Sequence, residues 1–265
     1  MSQLTVKILF VADVIGHEGF EIMAETIPRL AKDYDFDLIV ANGENAASGK
    51  GLMPRIVDDF MASGVHVITS GNHIWNKQKI FPVLNNHPHV LRPLNYPPGT
   101  VGRGSCIFET SGGYRIAVIN LQGRSFMQPI DCPFRVADRI IQDLHTQGIR
   151  IILIDFHAEA TAEKLALAYH LDGRITALLG THTHVQTADE RILPNGTACL
   201  TDAGMTGPSR SVIGMDISTA IQRFMTQVPV IYKIGEGNPV FCGAIVEADA
   251  ISGRAQHIER LQIRG

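Results

Sequence analysis

Short apolar runs alternate with segments of helical period at both ends of this 265-residue chain, and that alternation limits the fold more than any other feature. Residues 6–12 read as a buried strand, and Phe20, Met23, Ala24, Ile27 and Leu30 then recur at helical spacing, with Pro28 expected to bend or weaken that helix. A strand over 37–41 follows, then a helix whose inward face is Ile56, Val57, Phe60 and Met61, ending at Gly64. The third strand is 65–69. Past a proline-rich stretch over 92–99, residues 106–110 and 115–121 flank Ser111-Gly112-Gly113 as a hairpin, so the sheet is mixed. The alternation resumes with a helix carrying Val136, Ile140, Ile141 and Leu144, a strand over 150–156, a helix over 161–171 and a strand over 175–180. Residues 191–193 and 197–201 flank Pro194-Asn195-Gly196 as a second hairpin, and 239–263 alternate like paired strands.

This pattern predicts an α/β chain with two packed mixed sheets flanked by helices, a layered α-β-β-α sandwich filling residues 1–265 as a single domain. In such folds the active residues sit in loops at the carboxyl ends of strands. A hydrophobic fraction of 45% with 18% charged residues excludes a disordered chain. With a formal charge of −3 and no long basic run, the chain lacks the footprint for gripping a long nucleic acid through many phosphates, while a small phosphorylated ligand remains compatible. Cys106, Cys132, Cys199 and Cys242 are widely spaced, so neither a disulfide framework nor a thiolate zinc site is expected. The apolar opening over 4–12 is interrupted by Lys7, closed by Asp13 and too short to span a bilayer, which points to a cytoplasmic protein with no membrane partner. A homo-oligomer is left open.

Residues suited to holding metal fall at the ends of these strands. Asp13 ends the first, Gly43-Glu44-Asn45 the second, and Gly71-Asn72-His73 follows the third; His157 closes the strand over 150–156, and His182 and His184 follow the one over 175–180. A random scatter would also decorate helix faces and strand starts. His182-Thr183-His184 is the strongest local signal, because side chains two apart in an extended segment point the same way and can address one metal or two neighbours. Both imidazoles can equally hydrogen-bond loop carbonyls. Asn72 after Gly71 also suits a plain turn, and Asp13 also suits a helix cap. Glu44, directly after an apolar strand, is expensive to bury unless a cation or a hydrogen-bond network meets it. Asp155 shares a strand face with His157 and suits either a partner that orients the imidazole or a satisfied core acid. His17, His66, His87, His89, His145, His170 and His257 carry no assigned chemistry.

The stretches F-V-A-D-V-I-G at 10–16, A-N-G-E-N-A-A at 41–47, G-N-H at 71–73, N-L-Q-G-R at 120–124, D-F-H-A-E-A-T-A-E-K at 155–164, G-T-H-T-H-V at 180–185 and T-D-A-G-M-T-G-P at 201–208 run in order over most of the chain. Together they resemble the calcineurin-like metallophosphoesterase fold and, more closely, its YmdB-type branch of bacterial phosphodiesterases. Three departures from the broader pattern suit that branch and weigh against protein-phosphatase activity. No His stands two residues after Asp13, Glu44 replaces the usual bridging Asp, and no acid follows His73.

The resemblance implies two metal ions per chain. Asp13, Glu44, Asn45 and His184 would hold one; Glu44, Asn72, His157 and His182 would hold the other, with Glu44 bridging. It further implies His73 as the general acid that protonates the leaving oxygen, and iron as the metal. Oxygen and imidazole donors also admit manganese or zinc. Arg124 and Arg210 are candidate phosphate contacts, since guanidinium forks match phosphate geometry, and either fits a surface arginine as well. The implied reaction is hydrolysis of a small phosphodiester, a 2′,3′-cyclic nucleotide in particular, by a metal-bound hydroxide. A regulatory metal- and nucleotide-binding protein with little turnover is the alternative. An amidohydrolase also uses a His-x-His pair, but on its first strand, whereas here the pair lies at His182 and His184.

Overall fold

In the computed structural model, which describes residues 4–265, β1 (Thr5–Val11) and the short β2 (Asp13–Val14) lead into α1 (Gly16–Asp33). Then come β3 (Leu38–Asn42), α2 (Pro54–Ala62), β4 (Val67–Thr69) and α3 (Phe81–Asn86), followed by the hairpin of β5 (Ser105–Glu109) and β6 (Arg115–Gln122). Next are α4 (Pro133–Thr146), β7 (Ile151–His157), α5 (Thr161–His170) and β8 (Ala177–Thr181). The chain closes with β9 (Arg191–Ile192), β10 (Ala198–Leu200), β11 (Met205–Met215), α6 (Ile217–Thr226), β12 (Ile234–Asp249) and β13 (Ala255–Arg264).

The strands form two mixed sheets. One runs β2-β11-β12-β1-β3-β4, with β13 also paired to β12; the other runs β5-β6-β7-β8-β10-β9. Alternation along each strand sets the layers, because successive side chains point to opposite faces. Val6, Ile8 and Phe10 of β1 pack with Ile116 and Val118 of β6 in the core between the sheets. Leu9 and Val11 face the other way, onto Met23 of α1 and Phe60 of α2. Ala117, Ile119 and Leu121 pack outward on Val136 and Ile141 of α4. Both faces of the central strands are therefore buried, which explains their unbroken apolar runs. The result is the expected α-β-β-α sandwich.

Pro28 lies within α1, which continues from Gly16 to Asp33; Pro28 is exposed while Ile22, Met23, Thr26 and Ile27 form the buried row. Packing of that row on the sheet outweighs the one hydrogen bond a proline removes. β11 and α6 are the elements that periodicity missed. Register shifts interrupt the pairing of β11 with β12 between Pro208 and Arg210 and again between Arg210 and Met215, so no alternation is legible there. Among the described residues, no helix is long and apolar enough to cross a membrane.

Parallel pairing of β1 with β3 and β3 with β4, and of β6 with β7 and β7 with β8, turns the carboxyl ends of each set to one edge. The loops leaving those ends meet across the sandwich.

Candidate metal centre

Glu44 and His157, delivered from opposite sheets, are both fully buried and meet with Glu44 Oε1 3.1 Å from His157 Nε2. His182 Nδ1 lies 3.0 Å and Asn72 Oδ1 3.1 Å from that same nitrogen. Donor atoms of Glu44, His157 and His182 all fall within 4.8 Å of one another. Beside them, Asn45 Nδ2 stands 3.3 Å from Glu44 Oε1 and 3.2 Å from His184 Nε2, and His184 Nε2 is 3.8 Å from Asp13 Oδ1. The structure thus gathers Asp13, Glu44, Asn45, Asn72, His157, His182 and His184. His73 borders the cluster, its backbone N–H donating to Glu44 Oε2 at 3.0 Å.

The two arginines lie apart from this group. Arg124 is exposed, with its backbone N–H donating to Glu163 Oε1 at 3.0 Å. Arg210 is exposed on β11 and lines a separate groove that touches the cluster only through His184.

Asp13 does not cap α1. That helix has Ile15 at its N-cap with no side-chain hydrogen bond, and Asp13 is buried, with its Oδ1 accepting no hydrogen bond among the described residues. Nor is the His182–His184 segment extended. Both residues have positive φ, 101° and 65°, so backbone turns, rather than strand alternation, aim the two rings inward.

A model of the YmdB-like protein family matches residues 9–261. The chain belongs to that family. A 2′,3′-cyclic-nucleotide 2′-phosphodiesterase of Bacillus subtilis is 47% identical over 97% of this chain and 97% of its own length. Among solved structures, a hypothetical protein from Thermus thermophilus superposes with a TM-score of 0.92 at 39% identity, covering 98% of this chain and 99% of its own. A phosphatase from Mycoplasma pneumoniae also superposes at 0.92, with 33% identity, covering 99% and 94%.

In this YmdB-like chain the outward nitrogen of each clustered imidazole meets an acceptor. Thr181 Oγ1 donates its hydrogen to Asp155 Oδ1 at 2.7 Å, so His157 Nδ1 must be the donor in its 3.0 Å contact with that hydroxyl. His182 Nε2 faces the Glu159 carboxylate at 3.2 Å, and His184 Nδ1 faces the Ile213 carbonyl at 2.9 Å. In the neutral rings, His157 Nε2, His182 Nδ1 and His184 Nε2 are therefore bare and turned inward. They converge with the carboxylates of Glu44 and Asp13, an arrangement of lone pairs that repels itself unless a cation stands among them. The donor set fits a metal ion.

Burial and mutual charge shift these groups in opposite directions. Burial raises the Asp13 pKa, only partly offset by His184 and His157, leaving it at about 7. Burial would also raise Glu44, but His157 outweighs it and holds the carboxyl at about 2. For His157, burial is overcome by Glu44 and Asp13, which push the imidazole up to about 9. His182 is driven down to about 3 by burial and by the His157 charge.

Several side chains escaped the sequence reading. Lys164 and Asp202, both 1% exposed, form a 2.7 Å ion pair, and Asp202 Oδ2 accepts from Thr183 N at 3.2 Å and Thr183 Oγ1 at 2.8 Å. This pair holds the turn between the two histidines. Its signal was present, since Lys164 shares a helix row with Leu167 and Ala168, where a lysine is out of place without a partner. Lys50, Arg223, Phe224 and Tyr232 line a hollow of about 370 Å³ together with Glu44, His73 and His184. No periodicity marked them.

Proposed function

We propose that this chain is a metal-dependent phosphodiesterase acting on small phosphodiesters, with 2′,3′-cyclic nucleotides as the favoured substrates. The observation that carries the reading is the convergence of three bare imidazole nitrogens on two buried carboxylates, each ring fixed from behind by an acceptor. We assign Asp13, Glu44, Asn45 and His184 to one metal ion and Glu44, Asn72, His157 and His182 to a second, with Glu44 shared. Asn45 offers Nδ2 to its neighbours, so as a ligand it turns its amide over. Iron is the first choice of metal, with manganese or zinc as alternatives. Divalent ions held there supply Lewis acidity toward the phosphoryl oxygens and toward water.

The chain's own groups supply the rest. His73 Nδ1 stands 3.1 Å from Asn76 Oδ1 and donates to it, which leaves Nε2 as the atom that delivers a proton to the leaving oxygen. The backbone bond to Glu44 fixes that imidazole beside the centre. The family relationship and the name of the Bacillus subtilis relative support the substrate class. Four free thiols support the cytoplasmic address.

The test is metal analysis of the purified chain, followed by a panel of phosphomonoesters, diesters and cyclic nucleotides. About two metal equivalents per chain and turnover of 2′,3′-cyclic nucleotides are expected. Metal-loaded protein that binds an intact cyclic nucleotide tightly and forms no product is a sensor, and the hydrolase reading fails.

A further inference from the structure

We propose that the hollow between Lys50 and α6 is a nucleoside subsite, with Phe224 as the side chain that packs against the base; this rests on the phosphodiesterase reading above. In an in-line displacement the leaving oxygen departs opposite the attacking water, and the acid that protonates it stands on the departure side. In a nucleoside cyclic diester that oxygen belongs to the ribose. The nucleoside therefore lies on the His73 side of the centre.

His73 opens onto the hollow of about 370 Å³, a volume within the usual range for small-ligand sites, roughly 300–1,000 Å³. It is also lined by two cations, Lys50 and Arg223, and by the rings of Tyr232 and Phe224. Lys50 Nζ sits 5.6 Å from the centre of the Tyr232 ring. That ring lies against Gly49, which has φ +86° and where any Cβ would collide with it, so the loop after Glu44 and the segment after α6 are fitted to each other here. Positive charge near the phosphate and an aromatic surface beyond it are what a nucleotide requires.

Of the α6 side chains, Ala220, Arg223 and Phe224 line the hollow and Ile217, Ile221 and Met225 do not, although Phe224 stands beside Ile217 and Ile221 on the helix surface. Phe224 remains 71% exposed, an apolar ring at the mouth of a polar centre with no ring of the described residues stacked on it. A second hollow, of about 330 Å³ beyond Asn72 and His182, also has an aromatic residue, Phe126, but it contains neither a cation nor His73.

The test is calorimetric titration of the full chain, loaded with manganese, using adenosine 3′-monophosphate and base-free ribose 3-phosphate. Wild-type protein is expected to prefer the nucleotide by about 10-fold or more, and Phe224→Ala to reduce that ratio by about 10-fold. No preference in the wild type, or an unchanged ratio in F224A, overturns the subsite. So does an F224A variant whose only change is dissociation of a dimer seen by sedimentation, which makes α6 an interface between copies. Turnover of 2′,3′-cyclic AMP is scored separately: preferential nucleotide binding without hydrolysis upholds the subsite and removes the phosphodiesterase reading.

Discussion

Lys164→Met and Asp202→Ala attack the same ion pair, yet the structure predicts unequal costs. Both partners are buried at 2.7 Å, so removing either leaves the other charge without its counterion. Breaking a buried pair from one side costs about 3–5 kcal/mol. In Lys164→Met the orphaned carboxylate keeps three donors: Thr183 N, Thr183 Oγ1 and, on Oδ1, Gly204 N at 2.9 Å. Methionine also fills the space left by the lysine stem, so the loss belongs at the lower end, about 3 kcal/mol. Asp202→Ala orphans the ammonium and all three donors together, and belongs at or beyond about 5 kcal/mol. Equilibrium urea unfolding of the metal-free chain at neutral pH measures both. A lysine variant that loses more stability than the aspartate variant, or losses below about 1 kcal/mol in both, refutes the reasoning.

His73→Ala is expected to keep its metal content while losing about 10²- to 10⁴-fold in turnover of an ester with a poor leaving group, read by steady-state kinetics beside metal analysis. An unchanged rate removes His73 from the acid role. Thr181→Val deletes the hydroxyl that joins His157 to Asp155 and is expected to weaken metal binding about 10- to 100-fold in a chelator competition. Asp216 caps α6, and its bonds from Ser218 and Thr219 hold its pKa down from 3.8 to about 2. A depressed carboxyl stabilises the fold fully above its unfolded value and loses that contribution as pH falls through the folded one. The stability gap between wild type and Asp216→Asn should therefore shrink between pH 3.8 and 2, and a gap independent of pH there contradicts the cap.

The layers and the strand-end residues that cluster between them were legible in the sequence for one reason. Central strands buried on both faces read as unbroken apolar runs, so the first polar residue after each run marks a carboxyl end, and those ends share an edge. Glu44, Asn72, His157, His182 and His184 stand at or just past such ends, and the structure brings them together. What stayed hidden depends on contacts distant in sequence. The hydroxyl of Thr181 is indistinguishable from any strand threonine until β8 places it between His157 and Asp155. The α6 wall was obscured because β11 loses its register around Pro208 and Arg210, which left no alternation to read and no boundary from which to start the helix.

The His182–Thr183–His184 turn shows how the two kinds of information combine. Two non-glycine residues at positive φ each cost on the order of 1–3 kcal/mol, and nothing in the letters His-Thr-His announces that geometry. The strain persists because the turn is held at several points: Asp13 Oδ2 accepts from His182 N at 3.2 Å, Asp202 accepts from Thr183, and the Ile213 carbonyl meets His184 Nδ1. Lys164 neutralises Asp202 where it holds this corner in a buried setting. The lysine of α5, which touches none of the clustered donor atoms, is thereby tied to the aim of both imidazoles. A loss of metal affinity in Lys164→Met that exceeds what its lost stability explains is the signature of that link, and an affinity matching wild type in the folded variant means that the turn holds its shape without it.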